Sequence, residues 1–130
     1  MGKSLWTFRG YTTDAGNQIV QEWFDSLLLE DRELLRDRIN YLSNIERHLW
    51  IRPSFDKLDD DLNEVRRGSI RIYGYFPSDR HVFVFLNGVH KDTSNDRSGK
   101  SVALKRLKLL RRGIGGTHEF DFEEKLDQED

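Results

Sequence analysis

The chain has no cysteine. A disulfide framework, a thiolate metal site and a cysteine nucleophile are therefore excluded, and a reducing cytoplasm is the expected location. No uncharged run approaches the roughly 18 residues of a membrane helix, so no membrane partner is expected. The opening MGKSLWTFRG lacks the apolar core of a secretory signal. Metal-ligand spacing is also missing. His48, His81 and His118 are scattered, and the neighbours Asp59, Asp60 and Asp61 point different ways, as in a turn or helix cap. No metal or other cofactor is expected. Ser69, Ser78 and Ser101 lack a nucleophile-elbow context, and Gly113-Ile114-Gly115-Gly116 follows a helical pattern where a phosphate loop would open one.

What is present is charge and a modest apolar fraction. In 130 residues, 36% are hydrophobic and 34% charged, which fits one globular core under a heavily charged surface. The net charge of −2 conceals an asymmetry. Residues 118–130 hold seven acids against one lysine, a balance of −6 that leaves +4 for residues 1–117. Between Arg97 and Arg112 lie seven Lys or Arg and no acid. The expected organisation is a single domain over 1–117 and an acidic tail over 118–130, read as disordered, although Phe120 and Phe122 offer packing groups.

Periodicity supplies the elements. Trp6, Phe8 and Tyr11 predict a first strand. Val20, Trp23, Phe24 and Leu27 predict a helix over 18–29, capped by Asp14 or Asn17. Leu35, Ile39, Leu42, Ile45 and Leu49 predict a second helix over 32–48, pairing with the first as a hairpin. Pro53 stops that pattern. A meander follows: a strand over 63–67, a Gly68-Ser69 turn, a strand from Ile70 to Tyr75, a turn at Pro77-Ser78-Asp79 and a strand from Val82. Ile70 and Ile72 share one face, and Arg71, Tyr73 and Tyr75 the other. Val82 to Leu86 is apolar on both faces, as in a covered central strand. The stretch 93–99 reads as a loop, and 102–112 as a basic helix ended by glycine, with a flexible exit beyond.

The stretch Lys57 to Thr93 carries the chemistry. Arg66 and Arg71 sit on adjacent strands at positions able to share a face. Two guanidinium forks aimed at one spot stabilise the negative charge that gathers on a phosphodiester in transfer. RNA cleavage can use its own 2′-hydroxyl as nucleophile, so it requires proton-transfer groups and cations and no metal. Lys57, His90 and Lys91 are the candidates for proton transfer. Arg67, Tyr73, Tyr75 and His90 in the meander, with Lys100, Lys105 and Arg106 on the basic helix, are the candidate RNA-binding residues. The plainer reading is a solvated basic stripe, with Glu64 beside Arg66 as a cross-strand ion pair.

These residues resemble the RelE/ParE toxin superfamily, and most closely its HigB-like, phage-derived branch. The resemblance rests on Lys57-Leu58-Asp59, Glu64-Val65-Arg66, Arg71-Ile72-Tyr73 and Gly88-Val89-His90-Lys91-Asp92-Thr93, and its architecture spans about residues 15–95. It implies an α+β, RelE-like fold: a small antiparallel sheet made of an N-terminal strand and a three-stranded meander, a helical hairpin packed on it, and a C-terminal basic helix. It further implies a toxin of a type II toxin-antitoxin system, an endoribonuclease that cleaves mRNA on the ribosome and is inhibited by a cognate antitoxin. Arg66, Arg71, Lys91 and Lys57 fall on the family's basic positions. Arg66 and Arg71 would hold the scissile phosphate; Lys91 and Lys57 would assist proton transfer or bind backbone.

Asp92 stands where the family has a second lysine, and no tyrosine follows Tyr75. Both departures favour the alternative of a non-catalytic RelE-fold protein binding an antitoxin or RNA; a gyrase-targeting, ParE-like toxin is a further alternative. A last expectation concerns Glu119 to Asp130, whose acids would fold back on the basic helix and mask it.

Overall fold

The structure, a computed structural model, describes residues 5–58, 61–77, 81–90 and 97–122. Six strands and three helices follow one another as β1 (Thr7–Thr12), α1 (Ile19–Asp25), α2 (Leu29–Ser43), β2 (Phe55–Lys57), β3 (Asn63–Arg67), β4 (Ile70–Tyr75), β5 (Val82–His90), α3 (Arg97–Arg111) and β6 (Gly116–Glu119). The fold is α+β. The strands form one sheet in the order β2-β3-β4-β5-β1-β6. The expected sheet was smaller and antiparallel; the observed one is mixed, because β1 runs parallel to β5, with Thr7 opposite Val82. β1 is also flanked by β6, with Arg9 opposite Glu119.

The two additional strands come from segments with little strand character. β2 is three residues long and pairs Phe55 with Val65. β6 starts where a flexible exit was expected. Gly113, at φ +76, ends α3 with the paired bonds of a Schellman turn, Ile114 N to Leu109 O and Gly113 N to Leu110 O. Gly115 then brings the chain against β1 so closely that a Cβ there would lie 2.6 Å from Thr12 O. The Arg9 guanidinium fixes the strand by donating to Thr117 Oγ1 at 2.7 Å and Thr117 O at 3.0 Å. The 117/118 boundary thus falls inside β6, and Phe120 is buried.

The helices also differ from their expected bounds. α1 is shorter, and Asn17 closes a loop with Thr13 and does not cap it. α2 starts at Leu29, with Glu30 and Asp31 in its first turn against the positive helix end. It stops at Ser43 because its last carbonyls are taken elsewhere. Ser43 Oγ and Asn44 Nδ2 both donate to Asn40 O, and the Trp50 indole donates to Leu42 O at 2.9 Å. Ile45 and Leu49 lie beyond the helix, Leu49 within a 3-10 turn over Arg47–Leu49.

Register places the side chains. Ile72 lies opposite Gly88, and a Cβ on Gly88 would lie 2.2 Å from the Trp23 ring, so Ile72 faces α1. On that face Trp6, Phe8, Trp50, Phe55, Phe83 and Phe85 stack and cross edge to face. Tyr73 lies opposite Asn87 on the other face, where Asn87 Nδ2 donates to Gly99 O of α3. Phe83, Val84, Phe85 and Leu86 are all buried, as expected of a strand covered on both sides.

One step of β4, Tyr73 to Gly74, spans two of β5, Asn87 to Phe85, which makes Leu86 a bulge residue. Arg106 of α3 serves that bulge. It donates to Leu86 O at 2.9 Å and Asn87 Oδ1 at 3.2 Å, and its guanidinium sits 5.5 Å from the Tyr11 ring centroid.

Candidate functional site

Arg66 and Arg71 face each other across β3 and β4. Glu64 and Asp56 share their face, since Asp56 pairs with Glu64 and Glu64 with Tyr73. The expected convergence of two guanidiniums is therefore present. What they converge on is internal. Glu64 is buried, with 1% of its surface exposed. Arg66 Nε donates to Glu64 Oε2, and Arg66 Nη2 lies 3.3 Å from Asp56 Oδ2. Arg71 Nε stands 3.6 Å from the same Glu64 oxygen, an ion pair beyond hydrogen-bond length. Its Nη1 donates to Gly68 O and Ile70 O.

The ion pair of Glu64 with Arg66 read from the sequence is present, but within β3 and not across strands; Glu64 meets Arg71 across to β4. The hydrogen bond to Glu64 raises the Arg66 guanidinium above its ordinary range, outweighing burial, with further support from the Glu64 and Asp56 charges. Arg66 Nη1 and Arg71 Nη2 carry no bond among the described residues.

Beside this cluster a groove of about 440 Å³ runs between β2 and the N-terminal half of α3. Leu58, Leu62 and Leu104 line it together with Arg52, Lys57 and Lys100. Asp56 connects groove and cluster, since Arg52 also binds it at 3.1 Å. Among the described residues of groove and cluster, Arg52, Lys57, Lys100, Arg66 and Arg71 stand against Asp56 and Glu64. Arg52, on the segment leading into β2, carried no signal in the sequence beyond its charge.

The other candidate residues divide. Lys91 lies outside the described residues, as does Asp92. Lys105 lies on α3, and its neighbour Arg106 is committed to β5, its charge disfavoured by burial. Tyr73 has no exposed surface, so it cannot stack on a base as expected; α3 and β5 enclose it. Tyr75 is half-buried, and burial pushes its phenol up against the opposing pull of Arg111.

Two expected members belong to the opposite face. His90 pairs with Ile70 and faces α2, with Nε2 3.7 Å from Asp31 Oδ2. Arg67 also pairs with Ile70 and lines a pocket with Arg38 of α2. Strand alternation excludes both from the Arg66–Arg71 surface.

The chain matches no family model and no curated protein.

Among the described residues, no helix is long and apolar enough to cross a membrane, and no three His, Asp or Glu group to hold a metal ion. The acidic segment begins on the side away from α3. Gln21 of α1 exchanges two bonds with the Asp121 backbone, and Arg36 of α2 donates to Phe122 O at 2.6 Å. Masking of α3 is therefore not the role of residues 119–122; residues 123–130 lie outside the described residues.

Proposed function

We propose that this chain is a RelE-like, toxin-type endoribonuclease of the HigB-like kind, acting on mRNA on the ribosome and restrained by a cognate antitoxin. One observation supports this reading above the others: a cross-strand arginine pair next to a groove bearing three further cations. Phosphate contacts of this kind give affinity without sequence preference.

The backbone of a single RNA strand lies along Arg52, Lys57 and Lys100, with the scissile phosphate at Arg66 Nη1 and Arg71 Nη2. The substrate 2′-hydroxyl attacks phosphorus, the P–O5′ bond breaks, and a 2′,3′-cyclic phosphate and a 5′-hydroxyl result. The Lys57 ammonium supplies the proton to the leaving 5′-oxygen, and a second basic group, for which the sequence offers Lys91 in its neutral amine form, takes the 2′ proton. Glu64 is a positioning residue that fixes both forks in advance.

The test is induction of the chain in growing cells with mapping of transcript ends. Growth arrest and cuts confined to translated mRNA are expected, with Lys57→Ala cutting at least tenfold less. Unimpaired growth with intact ribosome-bound mRNA would overturn it.

A second reading has its own support. Glu64 and Asp56 neutralise Arg66 and Arg71, which suits a protein that binds RNA through the groove without cutting it. Saturable RNA binding with no cleavage under translation decides for it.

A further inference from the structure

The opposite face of the sheet holds a second pair of arginines, built differently. Arg67, next in β3 after Arg66, and Arg38 of α2 line a pocket of about 320 Å³ with Asp37, Tyr41 and Ser54. Arg38 donates to the hydroxyl of Ser54, a buried side chain. Among the described residues no carboxylate lies within ion-pair distance of either guanidinium. Asp37 also lines the pocket but forms no ion pair with either arginine. Burial, and then the charge of Arg67, weakens the hold of Arg38 on its proton.

An arginine pair with no carboxylate at ion-pair distance is a repulsive arrangement. The fold maintains it although Glu64 relieves the same repulsion one residue away in β3. We infer that this pocket is an oxyanion site, which takes a phosphate group between the Arg38 and Arg67 guanidiniums beside the hydroxyls of Tyr41 and Ser54.

The chemistry follows from the residue types. Guanidinium forks bind phosphate oxygens bidentately, and two forks around one anion turn mutual repulsion into shared attraction. Arg38 is already anchored by Ser54, so less side-chain freedom is lost on binding. The pocket does not depend on the RNA-cleavage reading, because it lies on the face away from Arg66, Arg71 and the Lys57–Lys100 groove. A phosphate reaching it comes either from a nucleic-acid backbone, as a diester, or from a free phosphate or monoester.

The test follows the arginine Nε–Hε resonances of the full chain at constant ionic strength. One arm adds inorganic phosphate in place of chloride; the other adds a short single-stranded oligoribonucleotide without terminal phosphate. Saturable shifts at Arg38 and Arg67 are expected. Response to the oligoribonucleotide assigns the diester, and response to phosphate alone assigns the free ion; either supports the site. Arg67→Gln should weaken the responding ligand about tenfold, and Arg67→Lys less. Arg67→Gln removes a repulsion, so its melting temperature in chloride should not fall below that of the wild type. No saturable shift in either arm, or equal affinity in wild type and Arg67→Gln, overturns the inference.

Discussion

Arg66 and Arg67 are adjacent in one strand and point to opposite faces, each toward a second arginine. On one face, Arg66 and Arg71 share a buried carboxylate. On the other, Asp37 lines the pocket of Arg67 and Arg38 but forms no ion pair with either. Charge that is answered from within becomes part of the framework, whereas charge left unanswered is available to a ligand. A count of cations treats the two pairs alike; the residue between them separates their roles.

Five substitutions, two of them combined, probe that contrast. Glu64→Gln should have the largest effect, because it leaves two guanidiniums facing each other without a counter-charge. A loss of about 2–3 kcal/mol in urea denaturation is expected, less than for a fully buried pair because Arg66 is 33% exposed. Arg106→Gln comes next as a control for an arginine with a backbone role. Uncapping the Leu86 carbonyl and losing the contact with Tyr11 should cost about 1–2 kcal/mol.

The groove cations should behave oppositely. Lys57→Gln with Lys100→Gln should change stability by no more than about 0.5 kcal/mol. Each replacement should lower the salt slope of RNA binding by about 1. Arg67→Gln should have the smallest effect on stability and the reverse sign, a gain of a few tenths of a kcal/mol in chloride. If Arg67→Gln costs as much as Glu64→Gln, the distinction between answered and unanswered pairs collapses.

Much of the framework was legible in the sequence because alternation is a strict geometric rule. It placed Arg71 and Tyr73 on one face and Ile70 and Ile72 on the other, and it allowed Arg66 to meet Arg71. It could not indicate what lies above each face. Tyr73 reads as a base platform until α3 is known to enclose it. His90 reads as a proton-transfer candidate until register places it opposite Ile70, on the face away from Arg71.

Local composition failed where partners at long range define an element. The β6 segment GTHE follows a glycine-rich turn and leads into an acidic tail, and it becomes a strand through β1. The run Leu27-Leu28-Leu29 shows the opposite failure. Its apolarity extended the first helix on paper, yet Leu28 is 71% exposed and marks the junction between α1 and α2. Glu64 was visible as an ion-pair candidate. Its burial was not, because burial of a charge depends on how many cations surround it.

The position of β1 has a consequence for biosynthesis. Of the six described strands it is translated first, and both its sheet neighbours, β5 and β6, come much later. Until they emerge, the nascent chain presents Trp6, Phe8 and Tyr11 on a ribbon with no hydrogen-bonding partner. The earliest-made strand of this sheet is therefore completed last, and the sheet acquires its final order only once β6 has been translated.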